Sequence, residues 1–107
     1  MWVFTTQGFV SIVQKPGADG LTVRARDRRS LDALATLVGV SVVGTPMADY
    51  PYRIVVDRAV LADWLVEVVG ELHYPNFKSA VATSRGWDYA HALTSVWSDM
   101  HQVTDLD

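Results

Sequence analysis

The stretch that most constrains this chain is Lys15-Pro16-Gly17-Ala18-Asp19-Gly20, set between two runs rich in β-branched and apolar residues. Proline presets φ, and the two glycines accept the positive φ that a tight reversal requires. The preceding run predicts a strand over 9–14 and the following run a returning strand over 21–27, which together make a hairpin. A shorter extended piece at 2–5 comes first, and Gly8 marks a bulge or turn between the two.

Beyond the hairpin the period changes. Ser30 has the character of an N-cap, Leu31, Leu34, Ala35 and Val38 follow at helical spacing, and Gly39 sits where a C′ glycine belongs. Val40–Val43 predicts a short strand and 44–49 a loop. Residues 51–57 alternate again, with Tyr52, Ile54 and Val56 on one side. Asp57 can cap a helix whose apolar stripe is Leu61, Trp64, Leu65, Val68 and Leu72, bracketed by Gly70 and Pro75. Asn76 opens a short helix to about Arg85, and Gly86 ends it. A last helix over 87–103 carries the stripe Trp87, Ala90, Leu93, Trp97, Met100 and Val103, and 105–107 is expected to fray.

The resulting order, ββαββα plus two helices, predicts a single α+β domain over residues 1–107. Residues 1–72 supply a sheet and two helices, and 73–107 supply a C-terminal helical pair. The first six elements are a circular permutation of the ferredoxin-like βαββαβ order, with right-handed crossovers. The expected product is a four-stranded antiparallel sheet with two helices on one face. Its other face is left to the C-terminal helices or to a second subunit.

Composition narrows the class. Half of the 107 residues are hydrophobic and 20% are charged, the balance of a globular chain. The absence of cysteine excludes disulfides and thiolate metal sites. Three scattered histidines suggest no metal centre, and no cofactor motif occurs. The opening Met1-Trp2-Val3-Phe4 has neither a basic n-region nor a long apolar run, so a cytoplasmic location and no membrane partner are expected.

Several blocks occur together: Met1-Trp2-Val3-Phe4-Thr5, Gly8-Phe9-Val10-Ser11-Ile12-Val13-Gln14-Lys15-Pro16-Gly17, Val23-Arg24-Ala25-Arg26, Asp49-Tyr50-Pro51-Tyr52-Arg53, Tyr74-Pro75-Asn76-Phe77-Lys78, and Tyr89 with Val96-Trp97. This pattern, covering nearly the whole chain, resembles a family of small bacterial proteins of about this length. The resemblance implies a stand-alone intracellular domain and carries over no activity, cofactor or catalytic residue.

Charge is the main functional signal. Residues 1–58 hold seven Lys/Arg against five Asp/Glu, or +2, while residues 59–107 hold two against seven, or −5. Four of the nine basic residues fall within six positions: Arg24, Arg26, Arg28 and Arg29. Arg24 and Arg26 alternate with Val23 and Ala25 and should share one sheet face with Arg53. Guanidinium forks suit phosphate or carboxylate oxygens. The bland alternative is that these arginines pair with carboxylates of the acidic C-terminal helices docked over the sheet. Nucleic acid ranks lower as a partner, because Phe9 is the only ring that can be placed on that face. Tyr50, Arg53, Tyr74 and Lys78, beside the two proline junctions, could line a pocket if those junctions converge. Trp87, Trp97 and Met100 on the final helix are candidates for self-association. His91, Ser95 and Asp99 have the residue types of a hydrolytic triad, but stacking at i, i+4 and i+8 puts Ser between its partners, which is the wrong geometry. The sequence therefore predicts a non-enzymatic binding or interaction module that forms homo-oligomers or meets another protein, with an anionic-metabolite domain using Arg24, Arg26 and Arg53 as the alternative. A nucleic-acid-binding or regulatory inhibitor domain is the third reading.

Overall fold

Trp2–Thr5 (β1) and Gly8–Val13 (β2) pair antiparallel with Thr5 opposite Gly8, so only Thr6 and Gln7 make the turn. The Thr5 hydroxyl accepts the Gln7 N–H at 3.1 Å, a local side-chain bond that favours the reversal. β2 then turns into Leu21–Ala25 (β3) through the predicted hairpin. Ala18 N–H donates to Lys15 C=O at 3.1 Å while Gly17 takes φ 76°. This is the type II geometry, in which proline at the first corner and glycine at the second each meet a steric demand.

In a computed structural model that describes residues 1–105, the order continues with Arg29–Val38 (α1), Val43–Gly44 (β4), Tyr52–Val56 (β5), Arg58–Gly70 (α2), Phe77–Arg85 (α3) and Trp87–Met100 (α4). A single 3-10 turn at His101–Val103 follows. The frayed end expected at 105–107 lies, for 106 and 107, outside the described residues.

The fold is α+β, and its sheet is antiparallel throughout in the order β1-β2-β3-β5-β4. Five strands replace the expected four, so the simple ferredoxin-like order is not reproduced. The reason is the register of β1: its four residues pair fully with β2 and extend the sheet past the expected edge. Other boundaries move by a few residues. β3 stops at Ala25, and β4 shrinks to two residues, with Val43 exposed.

The chain divides into two units, Met1–His73 and a second beginning at Tyr74. In the first, alternation places Val10, Ile12, Leu21, Val23, Ala25, Ile54 and Val56 on one sheet face. Leu31 and Leu34 of α1 and Leu61 and Trp64 of α2 complete that core. Burying a side chain such as Leu31 or Leu34 stabilises by about 1.5–3 kcal/mol. Leu72, expected on the α2 stripe, lies past the helix end and is exposed.

Ser30 corrects the predicted cap. The helix begins two residues earlier, with Arg28 at the N-cap position and no side-chain cap bond there. The Asp27 carboxylate instead accepts the Ser30 N–H at 3.2 Å and also the Ser30 hydroxyl, whose oxygen in turn accepts the Phe9 N–H at 3.2 Å. Ser30 is thus a buried relay between α1 and β2. Gly39 does take the expected left-handed C-cap, φ 74°.

The second unit is a helical hairpin. Asn76 Oδ1 caps α3 by accepting the Ser79 N–H at 2.9 Å. Gly86, at φ 88°, joins α3 to α4, and Val81 and Ala90 are fully buried. Among the described residues no helix is long and apolar enough to cross a membrane.

Candidate functional site on the outer sheet face

Alternation that sends Val23 and Ala25 into the core turns Arg24 outward, and the same parity turns Ser11 and Arg53 outward. Strand register then produces one transverse row across all five strands: Trp2 opposite Ser11, Ser11 opposite Arg24, Arg24 opposite Arg53, and Arg53 opposite Val43. The two ends of the row are open, with Trp2 66% and Val43 56% exposed. Val55, two residues along β5 from Arg53, is also exposed. At the centre of the row Ser11 is small and buried beneath the Arg24 guanidinium.

A second row lies beside it. Phe4 stacks on Phe9 at 4.6 Å between centroids, Trp2 meets Phe9 edge-on at 5.5 Å, and Tyr50 continues from Phe9 at 6.4 Å. The Arg24 and Arg26 guanidiniums stand 4.5 Å and 5.0 Å from the Tyr50 ring centroid, within cation–π range. The face therefore joins four aromatic rings to a set of arginines, where the sequence placed Phe9 alone. Register explains the omission. Trp2 and Phe4 reach the face only because β1 pairs with β2 residue for residue, and the sequence suggested no more than a short extended piece there.

The three arginines of this face are not equivalent. Arg26 donates to the Asp49 carboxylate at 3.1 Å and to the Asp49 carbonyl at 3.2 Å. Both side chains are mostly exposed, so the pair contributes little to stability. Its carboxylate comes from the loop before β5, not from the acidic C-terminal half. Arg24 donates one bond, to Ser11 Oγ at 2.7 Å. The Arg53 side chain makes no hydrogen bond among the described residues. Neither has an ion-pair partner among them. The Nε atoms of both are buried and without an acceptor. Two guanidiniums directly opposite on neighbouring strands repel, and a buried donor left unpaired carries its full desolvation penalty. An anion with two or more oxygens answers both terms at once. Arg28 is set apart on the turn into α1, 5.3 Å from the Tyr52 ring centroid, and does not join the row.

Tyr74 and Lys78, named from sequence as pocket residues, belong to the helical hairpin. Tyr74 lies against Phe77 at 5.8 Å, and Lys78 lines a cleft of about 500 Å³ with Asn76, Phe77, Leu93, Thr94 and Trp97. The stripe expected on the last helix is exposed over much of its length, with Trp87, Trp97 and Met100 of α4 and Val103 of the 3-10 turn each more than half accessible. Trp97 is backed edge-on by His101 at 4.2 Å. His91 sits beside Trp87 at 5.9 Å, and no hydrogen bond joins it to Ser95 or Asp99 among the described residues. The described residues hold no group of three His, Cys, Asp or Glu that could bind a metal ion.

Ser11, Trp2 and Phe4 are the site residues that sequence reasoning missed. The signal for them was present in the parity of Trp2 and Phe4 about the Thr6-Gln7 turn, which sets both on the side of Phe9 and Ser11. No family model matches this chain, and neither a curated protein nor a solved structure does.

Proposed function

We propose that this chain is a non-enzymatic binding module whose outer sheet face receives an anionic group between Arg24 and Arg53, beneath Tyr50. One observation carries the reading: two guanidiniums stand opposite each other on neighbouring strands, with both Nε atoms buried and unpartnered. Folding alone gives no reason to place like charges there. Sites where a local rule is broken without compensation are where function is expected. We also read β2-β3-β5-β4 with α1 and α2 as a permuted ferredoxin-like core to which β1 adds an edge. A cytoplasmic setting belongs to the same reading, since the chain has no cysteine to exploit an oxidising compartment.

Thermal denaturation with inorganic phosphate, sulfate and citrate tests the anion site. Ligand at tenfold its Kd stabilises the native state by about 1.4 kcal/mol through mass action. That shift should appear for at least one of these anions, exceed any effect of chloride at equal ionic strength, and vanish in Arg53→Met. No shift beyond the chloride control removes the reading.

Self-association is the second reading, supported by the exposed Trp97 and Met100 on α4 and Val103 on the 3-10 turn that follows it. Trp87 extends the same exposed set toward the start of the helix.

A further inference from the structure

The anion site has an aromatic neighbour that a simple anion does not need. Trp2 lies in the same transverse row as Arg24, two strands away, and is 66% exposed. At the usual strand spacing the Trp2 and Arg24 backbones are roughly 10 Å apart. Between them Ser11 is the smallest side chain of the row, buried and covered by the Arg24 guanidinium that donates to its Oγ, so no bulky group stands between the indole and Arg24. Phe9 braces the indole through an edge contact and is itself stacked on Phe4. The Trp2 ring is therefore held by Phe9 yet presents most of its surface outward. A flat, apolar, π-bearing group is what such a ring receives.

Resting on the anion-site reading, we infer that the occupant is a nucleoside monophosphate, its phosphate between Arg24 and Arg53 and its base stacked on Trp2, with the sugar passing over Ser11. A phosphomonoester supplies several oxygens on one centre, enough to bridge the two guanidiniums through their terminal N–H groups, and Arg24 keeps its bond to Ser11. The charge distribution favours a mononucleotide over a strand. Arg26 is occupied by Asp49, Arg28 faces Tyr52, and the chain carries net charge −3. A polymer needs a basic track along its backbone, and this face offers two guanidiniums without an ion-pair partner among the described residues, enough for one phosphate.

Isothermal titration of the full chain with AMP, ribose 5-phosphate, adenosine and inorganic phosphate separates the two halves of the inference. AMP should bind about tenfold or more tightly than ribose 5-phosphate, the ratio expected of one stacked base. Adenosine alone should not bind measurably. Trp2→Leu, at an exposed position that leaves the fold intact, should bring AMP down to the ribose 5-phosphate affinity without altering phosphate binding. Arg53→Met should abolish binding of every phosphate compound. Equal affinity for AMP, ribose 5-phosphate and phosphate overturns the nucleotide inference and leaves the anion site standing. No binding of any phosphate compound overturns both. Binding of an eight-nucleotide single strand at least tenfold tighter than AMP, with steep salt dependence, overturns the mononucleotide assignment in favour of a strand.

Discussion

Replacing Arg53 by Met should make the unliganded protein more stable. Methionine keeps an unbranched stem of similar reach, so packing along β5 is largely preserved. Two unfavourable contributions disappear. Like charges directly opposite on adjacent strands cost about 0.2–1 kcal/mol, and Arg53 stands directly opposite Arg24. The buried, unpartnered Nε adds a desolvation cost of order 1 kcal/mol or more. Some of this is returned, because the rest of the half-buried guanidinium reaches water. The expected net gain is about 1 kcal/mol, a rise in Tm of about 4–8 °C for a domain of this size. Urea denaturation at low salt in a phosphate-free buffer measures it. The electrostatic part should shrink as ionic strength rises, since added salt screens the pair. Arg26→Met serves as the control: its pairing with Asp49 is exposed, and stability should change by no more than about 0.5 kcal/mol. In the double variant Arg24→Met with Arg53→Met, the second substitution should gain less than it does alone, because the repulsion is already gone. A loss of 1 kcal/mol or more on Arg53→Met would refute the reasoning, since it would mean that Arg53 has a stabilising partner in the folded protein.

Other positions give independent checks. Ser30→Ala should cost about 1–3 kcal/mol in chemical denaturation, because the Phe9 N–H and the Asp27 carboxylate both lose a buried partner; a neutral result would show that Ser30 is not the relay between α1 and β2. Asn76→Ala should destabilise α3 by about 1 kcal/mol, read as faster amide exchange over 77–80, since the Ser79 N–H loses its acceptor. Trp97→Gln should lower any concentration-dependent increase in mass seen by sedimentation without changing thermal stability, because the ring is two-thirds exposed.

The sequence was most legible where a local steric demand meets one residue type. Pro16 and Gly17 fit the type II turn, Gly39 the left-handed cap, and Asn76 the start of α3. Alternation likewise foretold that Arg24 and Arg53 would turn away from the core. What it could not supply was register across strands distant in the chain. That β1 is a full edge strand, that Arg53 falls opposite Arg24 and not one pair along, and that Tyr50 folds over Arg24 all depend on pairings set by the assembled sheet. Ser30 was misread for a related reason. Its cap-like character is visible, but the carboxylate of Asp27, three residues earlier, takes its N–H, and its oxygen accepts from Phe9 on a different element. The acidic C-terminal half was the natural candidate to neutralise the arginines. Yet the carboxylate that Arg26 meets is that of Asp49, 23 residues away on the loop before β5.

The central claim is that Arg24 and Arg53 face each other in order to share an anion, and their Nε–H groups report on it directly. Nitrogen–proton correlation spectra of the arginine side chains, recorded through a phosphate titration, follow each of these groups separately. The account predicts that the Arg24 and Arg53 Nε–H resonances shift together, saturate with a common dissociation constant and gain protection from exchange, while those of Arg58 and Arg85 stay in place. Unchanged Arg24 and Arg53 resonances at millimolar phosphate, or a uniform, non-saturating drift of all the arginines, would contradict it.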